Sequence, residues 1–181
     1  MKTIELKIPS FKREECKIGI VHLGVGNFHR AHQALYINNY IEETDDKNWG
    51  ICGINLRKEE GENFSFLKKR DGKYVLKTAS SDGEIEFSEI HSIQKLIDWS
   101  EEKEKAEKIL CGKDIEIVTM TVTESGYYIN EDNDLNLNLQ IVKDNIAQKE
   151  NTIIFSFLLS ALKKRMHSID KEITLLCCDN I

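Results

Sequence analysis

Two glycines spaced Gly-x-Gly, Gly24 and Gly26, follow the apolar run Ile18-Gly19-Ile20-Val21-His22-Leu23 and lead at once into a helix-compatible segment, residues 28–43. That order is the phosphate-binding turn of a dinucleotide fold. Gly24 permits the tight turn, and Gly26 lets the backbone approach a pyrophosphate with no side chain in the way. The pyrophosphate then sits on the N–H groups at the helix start, where the helix dipole favours an anion. His29 stands where the usual pattern has a third glycine, so spacing alone also accommodates a plain strand-to-helix turn. Two further stretches place polar groups at the ends of apolar runs: Thr121-Val122-Thr123-Glu124-Ser125-Gly126-Tyr127 and Cys178-Asp179-Asn180. In open α/β sheets, ligands bind outside the carboxyl ends of strands, which is where both stretches fall.

The elements that must hold these groups follow from periodicity and turn residues. Residues 1–16 read as a polar lead-in with the only proline, Pro9. Strands are expected over 18–25 and 49–56, the second apolar enough to be buried on both faces as parallel strands are. The helix over 28–43 carries Ala31, Ala34, Leu35, Ile37 and Ile41 as an inner stripe. A charged helix follows over 59–70. Residues 73–80 and 84–90 flank Ser81-Asp82-Gly83, which predicts an antiparallel hairpin inserted into the parallel fold. Residues 92–110 read as helical and charged, in two pieces around Trp99 and Ser100. A strand over 115–122, an exposed loop over 131–138, a helix over 152–167 capped by Asn151, and a last strand over 173–178 complete the chain. The helix turns Ile153, Ile154, Phe157, Leu158, Ala161 and Leu162 to the sheet. The expected fold is α/β and Rossmann-like: four strands separated by helices in a mostly parallel sheet, plus the hairpin. A full dinucleotide fold has about six parallel strands, so residues 1–181 read as one nucleotide-binding domain truncated before its end.

Composition narrows the functional classes. The chain has 181 residues, 40% hydrophobic and 31% charged, with a formal net charge of -6. This is enough for one domain with a real core, and the negative charge argues against non-specific nucleic-acid binding. No apolar run reaches the roughly 18 residues of a membrane span. Residues 1–11 lack a signal-peptide core, which suggests a cytoplasmic protein. The five cysteines are odd in number and form no Cys-x-x-Cys, so reduced thiols and no metal site are expected. Cys52, within a strand-like run, reads as a small buried hydrophobe.

Leu23-Gly24-Val25-Gly26-Asn27-Phe28-His29-Arg30-Ala31-His32-Gln33 closely resembles the opening motif of the long-chain mannitol dehydrogenase family. That family includes mannitol 2-dehydrogenase, fructuronate reductase and tagaturonate reductase. In it Phe and His-Arg follow the second glycine, which accounts for the absent third one. The Thr-Val-Thr-Glu-x-Gly-Tyr stretch and the Cys-Asp-Asn ending resemble the same family, in the same order. The resemblance implies metal-free hydride transfer between nicotinamide and a secondary alcohol or ketone of a polyol or sugar acid.

It also implies roles. Asn180 matches the family's donor to the carbonyl oxygen that gains charge on reduction, a contact worth roughly 10²–10³ in rate; on residues alone Asn180 reads as a turn or helix cap. Glu124 matches a glutamate near the proton-transfer path; on residues alone it is a solvated glutamate. The candidate cofactor-binding residues are Gly24, Gly26, Asn27, Phe28, His29, Arg30 and Glu59. Glu59, after the second strand, is placed to hold the ribose hydroxyls of NAD, while Arg57 keeps NADP open. The family's catalytic base is a lysine in a Lys-x-x-x-x-Asn-x-x-His motif on a later helical domain. Lys163-Lys164-Arg165-Met166-His167 does not fit that spacing. The chain therefore reads as the N-terminal Rossmann part of a polyol or hexuronate dehydrogenase, inactive alone, with self-association favoured by an open sheet edge. A non-catalytic nucleotide-binding module and a ligand-free structural domain are the other readings.

Overall fold

The computed structural model describes residues 5–56, 61–147, 149 and 152–179. Strands β2 (Ile18–Leu23) and β3 (Gly50–Asn55) bury side chains on both faces, which a sheet covered on both sides satisfies. They lie at the centre of a five-stranded sheet whose order is β6 (Ile93–Asp98), β3, β2, β7 (Ile117–Met120), β8 (Thr174–Cys177). Every pairing in it is parallel. The chain works outward from β2 to β6 and then crosses back to β7. The doubly wound order therefore reverses between β2 and β7, where such sheets form their crevice.

Alternation along the strands feeds two cores. Val21, Leu23, Cys52, Ile54 and Val118 cluster with Ala106 of α4 (Lys103–Ile109) and with Phe157 and Ala161 of α6 (Ile154–Ser168). Ile20, Ile51, Ile93 and Leu96 cluster with Ala34 of α2 (Gln33–Thr44) and with Phe64 and Leu67 of α3 (Glu62–Lys69). Cys52 is fully buried, and burial pushes its thiol up to about 12, as a small hydrophobe requires. Among the described residues, no helix is long and apolar enough to cross a membrane.

Several expectations change. Residues 92–110 hold a strand before their helix. Ile93, Leu96 and Ile97 recur at helical i, i+3, i+4 spacing, yet Ile93 and Leu96 join one core and Ile97 the other. The parallel sheet thus has five strands among the described residues, where four were expected. The helix over 28–43 is two helices, α1 (Asn27–Ala31) and α2, broken at His32 with φ -120° and ψ -81°. Tyr74 Oη donates to the Arg30 carbonyl at 2.5 Å beside that break.

Tyr74 opens β4 (Tyr74–Ala79), which pairs antiparallel with β5 (Ile85–Ile90), the expected hairpin. The hairpin stands outside the parallel sheet. Together with β1 (Leu6–Lys7), from the stretch read as a polar lead-in, it forms a separate three-stranded sheet. Asn151 lies outside the described residues. The start of α6 is instead served by Asn145 of α5 (Gln140–Ile146), a helix the sequence reading lacked. Asn145 Oδ1 accepts from the N–H of Thr152 at 2.8 Å, the N–H of Ile153 at 3.3 Å and Ser156 Oγ at 2.6 Å.

One buried cation organises the loops below the sheet. Arg165 is 2% exposed. It donates to the carbonyls of Leu110, Gly112 and Ile115 before β7 and of Lys171 and Glu172 before β8, at 2.6–3.3 Å. A guanidinium has five N–H donors in a fixed fork, and here they serve five backbone acceptors. Arg165→Met removes all of those donors while keeping an unbranched stem. Urea unfolding is expected to show a loss of roughly 2–4 kcal/mol; an unchanged midpoint would mean the loops hold themselves.

Candidate functional site

The turn after β2 contains two glycines with different reasons to be glycine. Gly24 has φ +97°, and a Cβ there would lie 2.4 Å from the Thr121 carbonyl oxygen. Backbone conformation and space both forbid a side chain. Gly26 has φ -94° and ψ -175°, which any residue adopts. The nearest atom to a Cβ built on it is the Gly24 oxygen, at 4.0 Å. The chain's own packing therefore leaves room at residue 26 and does not demand glycine. Gly26, Asn27 and Phe28 are exposed around that space, and the first N–H groups of a helix have no acceptors within it.

Behind the turn lies a buried polar layer. The β2–β7 register sets His22 beside Thr119, and their side chains meet with Nδ1 2.8 Å from Oγ1. His22 Nε2 is 3.1 Å from both the Gly24 carbonyl oxygen and Thr121 Oγ1. The His29 ring stacks on His22 with centroids 3.6 Å apart and planes 13° apart. His29 Nδ1 is 2.9 Å from Gln33 Oε1, and Gln33 Nε2 donates to Thr119 Oγ1 at 3.1 Å.

The proton positions follow from the acceptors. A carbonyl only accepts, so His22 Nε2 carries the hydrogen. Its Nδ1 then accepts from the Thr119 hydroxyl, Thr119 accepts from the Gln33 amide, and the Gln33 carbonyl accepts from His29 Nδ1–H. Both imidazoles are fully buried and neutral. Burial lowers His22 from 6.5 to about 4, and burial together with the neighbouring His22 holds His29 well below 6.5.

The next strand ends are joined by Asp179. Its Oδ1 accepts from the Val122 N–H at 2.7 Å, and its Oδ2 accepts from Tyr127 Oη. Burial raises the Asp179 carboxyl, but the hydrogen bonds from Tyr127 and Val122 outweigh it and leave the pKa below the usual range. The hydrogen bond to Asp179 pushes the Tyr127 phenol up. Tyr127 closes the 3-10 turn Glu124–Tyr127, in which Glu124 is exposed.

Gly24, Gly26, Asn27, Phe28 and Arg30 come together at the turn, where Arg30 Nη2 donates to Asn27 Oδ1. His29, expected beside the ligand, has its ring turned inward with 0% exposure, so its side chain supports the turn from behind. Glu124 lies past the end of β7, the strand next to β2. Asn180, Glu59 and Arg57 fall outside the described residues. Sequence reasoning missed His22, Gln33, Thr119, Thr121, Tyr127 and the anchoring role of Asp179. A histidine in the middle of a strand apolar on both faces was a usable signal, because such a ring needs buried partners.

The strand order, its reversal beside a Gly-x-Gly turn and the helices on both faces define a Rossmann-type α/β domain. The chain belongs to the mannitol dehydrogenase family: the profile of the mannitol dehydrogenase Rossmann domain matches residues 18–181. It is 33% identical over 181 residues to a mannitol 2-dehydrogenase of Pyrenophora tritici-repentis, covering 97% of this chain and 31% of that protein. A D-arabinitol 4-dehydrogenase of Klebsiella pneumoniae is 36% identical over 161 residues, covering 89% and 35%. The Pseudomonas fluorescens mannitol 2-dehydrogenase in ternary complex with NAD and D-mannitol superposes with a TM-score of 0.88 at 30% identity, over 98% of this chain and 36% of that one. The chain thus spans about a third of the length of these relatives.

The buried histidines make stability depend on pH. His22 titrates near 4 when folded and near 6.5 when exposed, so between those values the unfolded chain binds more protons. Stability is then full above pH 6.5 and falls as pH drops from 6.5 toward 4. Urea unfolding across that window is expected to show a shallower decline in His22→Phe than in the wild type. Equal slopes would place the imidazole in water.

Proposed function

We propose that this chain supplies the cofactor-binding part of an oxidoreductase that moves a hydride between a nicotinamide cofactor and a polyol, hexonate or hexuronate. Gly26 carries the reading: it is glycine where the fold itself leaves room for a side chain, at the reversal of strand order, with the exposed residues Asn27 and Phe28 beside it. The mannitol and arabinitol dehydrogenases among the relatives support the substrate class, and the NAD in the Pseudomonas fluorescens complex supports the cofactor.

In this reading the open turn fits NAD. Gly24, Gly26, Asn27 and Phe28 line the pyrophosphate, Arg30 stands beside it, and Glu59 holds the ribose hydroxyls, with Arg57 as the route to NADP. When bound, the nicotinamide supplies or accepts the hydride. Asn180 gives a hydrogen bond to the substrate oxygen as charge builds on it, and Asp179 ties the strand end that precedes it to Val122 and Tyr127. Glu124 serves the proton path at the neighbouring strand end. Residues 1–181 act as the Rossmann part, and the lysine base comes from outside them. A cytoplasmic setting, which keeps the five free thiols reduced, belongs to the same reading. So does pairing through β8, whose Leu175 and Leu176 are 45% and 48% exposed.

Isothermal titration with NADH tests the turn. Gly26→Val is expected to abolish binding with unchanged circular dichroism, because its Cβ meets only ligand space. Wild-type affinity in the variant removes the turn from the site.

Cofactor choice gives a second test. NAD is expected to bind more tightly than NADP, and Glu59→Ala to narrow the gap by removing repulsion toward the 2′-phosphate. A wild-type preference for NADP would point to Arg57 instead. Absorbance at the NADH band with mannitol, mannonate and altronate, on a protein that includes the lysine motif, reports the substrate class.

A further inference from the structure

His22 is a costly residue for the middle of an apolar strand. Its ring is 0% exposed and sits in the sheet beside Val21 and Leu23, where an aliphatic side chain would satisfy packing. What histidine adds is one directed donor. The Gly24 carbonyl oxygen receives the Gly26 N–H at 2.8 Å, the Thr121 hydroxyl at 2.9 Å and His22 Nε2–H at 3.1 Å. A carbonyl has two lone pairs, so three donors crowd this oxygen. Two of the three come from side chains, one on β2 and one on the residue just past β7, and lock the peptide from below.

That peptide is the one that matters for the turn. Its orientation sets the direction of the Gly26 amide, which is bonded to it, and through Gly26 the start of α1. The rest of the polar layer anchors the His22 ring. The Gly24 carbonyl fixes the hydrogen on Nε2, and Nδ1 is left to accept from the Thr119 hydroxyl, itself held by Gln33. His29 stacks on the His22 ring, and both side chains are fully buried.

We propose that His22 is a positioning residue of the pyrophosphate turn: its Nε2–H, on a ring anchored at Nδ1 by Thr119, holds the Gly24 carbonyl in the orientation that presents Gly26 and Asn27 to an anionic pyrophosphate. This rests on the reading of the turn as the cofactor site. His22 touches no ligand itself and acts through Gly24.

Three substitutions separate positioning from packing. His22→Gln places an amide N–H where Nε2 was. His22→Asn places one where Nδ1 was, keeping a partner for Thr119 and losing the bond to Gly24. His22→Leu loses both bonds and keeps the apolar volume. NADH dissociation constants from titration are expected to rise roughly tenfold or more in His22→Asn and His22→Leu, and His22→Gln is expected to recover most of that loss. Unfolding midpoints are expected to follow a different order, with His22→Leu at least as stable as His22→Asn. Affinity that simply tracks stability across the three overturns the proposal.

Long-range proton–nitrogen NMR correlations on the ligand-free protein give a readout independent of binding. Nε2 of His22 is expected to carry the hydrogen at neutral pH. An Nδ1–H tautomer or a charged ring overturns the proposal. Gly26→Val distinguishes the two levels of failure. If it binds NADH normally, the turn is not the site and the role of His22 falls with it. If it loses NADH while His22→Asn and His22→Leu bind as the wild type does, the turn stands and only the positioning role is overturned.

Discussion

At the end of β2 the chain has to leave the sheet within van der Waals reach of the strand beside it. Gly24 solves this with a left-handed backbone, and the Thr121 carbonyl sits where its side chain would be. Everything around the site inherits that close approach. It brings the Thr121 hydroxyl onto the Gly24 carbonyl, sets the first helix off at the reversal of strand order, and leaves an open space in front of Gly26. A wider gap between β2 and β7 would remove the steric need for glycine and the hydrogen bonds together.

The same strand faces two chemistries. On one side Val21 and Leu23 join a fully apolar core against α4 and α6. On the other, Ile20 starts an apolar core and His22 ends it with a polar one, so on this strand the buried side-chain hydrogen bonds lie at the carboxyl end. Polar groups inside a protein are costly unless every partner is in place. Here the cost falls where geometry has to be defined, at the turn, and again below the sheet at Arg165 where two loops have to be held.

Much of this was legible in the residues. The apolar runs of β2 and β3, the Gly-x-Gly turn, the Ser81-Asp82-Gly83 hairpin and the apolar face of α6 each carry a local signal, and each is present. The missed strand β6 shows where local signals stop. Covered on both faces, it can bury Leu96 and Ile97 in succession, and with Ile93 the three imitate a helical stripe. The break at His32 has neither glycine nor proline to announce it; a tyrosine from the hairpin sits against it, which is a tertiary fact. The polar layer was hidden for a related reason: His22, Gln33 and Thr119 become partners only through strand register and helix docking. Asn145 takes the capping role because the loop brings it to the start of α6, while sequence proximity pointed to Asn151.

The β2–β7 pairing also sets the order in which the molecule can come together. His22 and Thr119 are 97 positions apart in the chain, and non-local parallel pairing is slow because loop closure precedes its reward. At about 5–20 residues per second of synthesis, on the order of 5–20 s separate the emergence of the two. Through that interval β2 has β3 on one edge and nothing on the other, with its histidine still hydrated. The glycine turn is made well before its partner strand, and its hydrogen bonds to Thr121 close only when that later segment arrives beside it. A nascent chain stalled before that point would display an apolar edge of the kind that holding chaperones recognise.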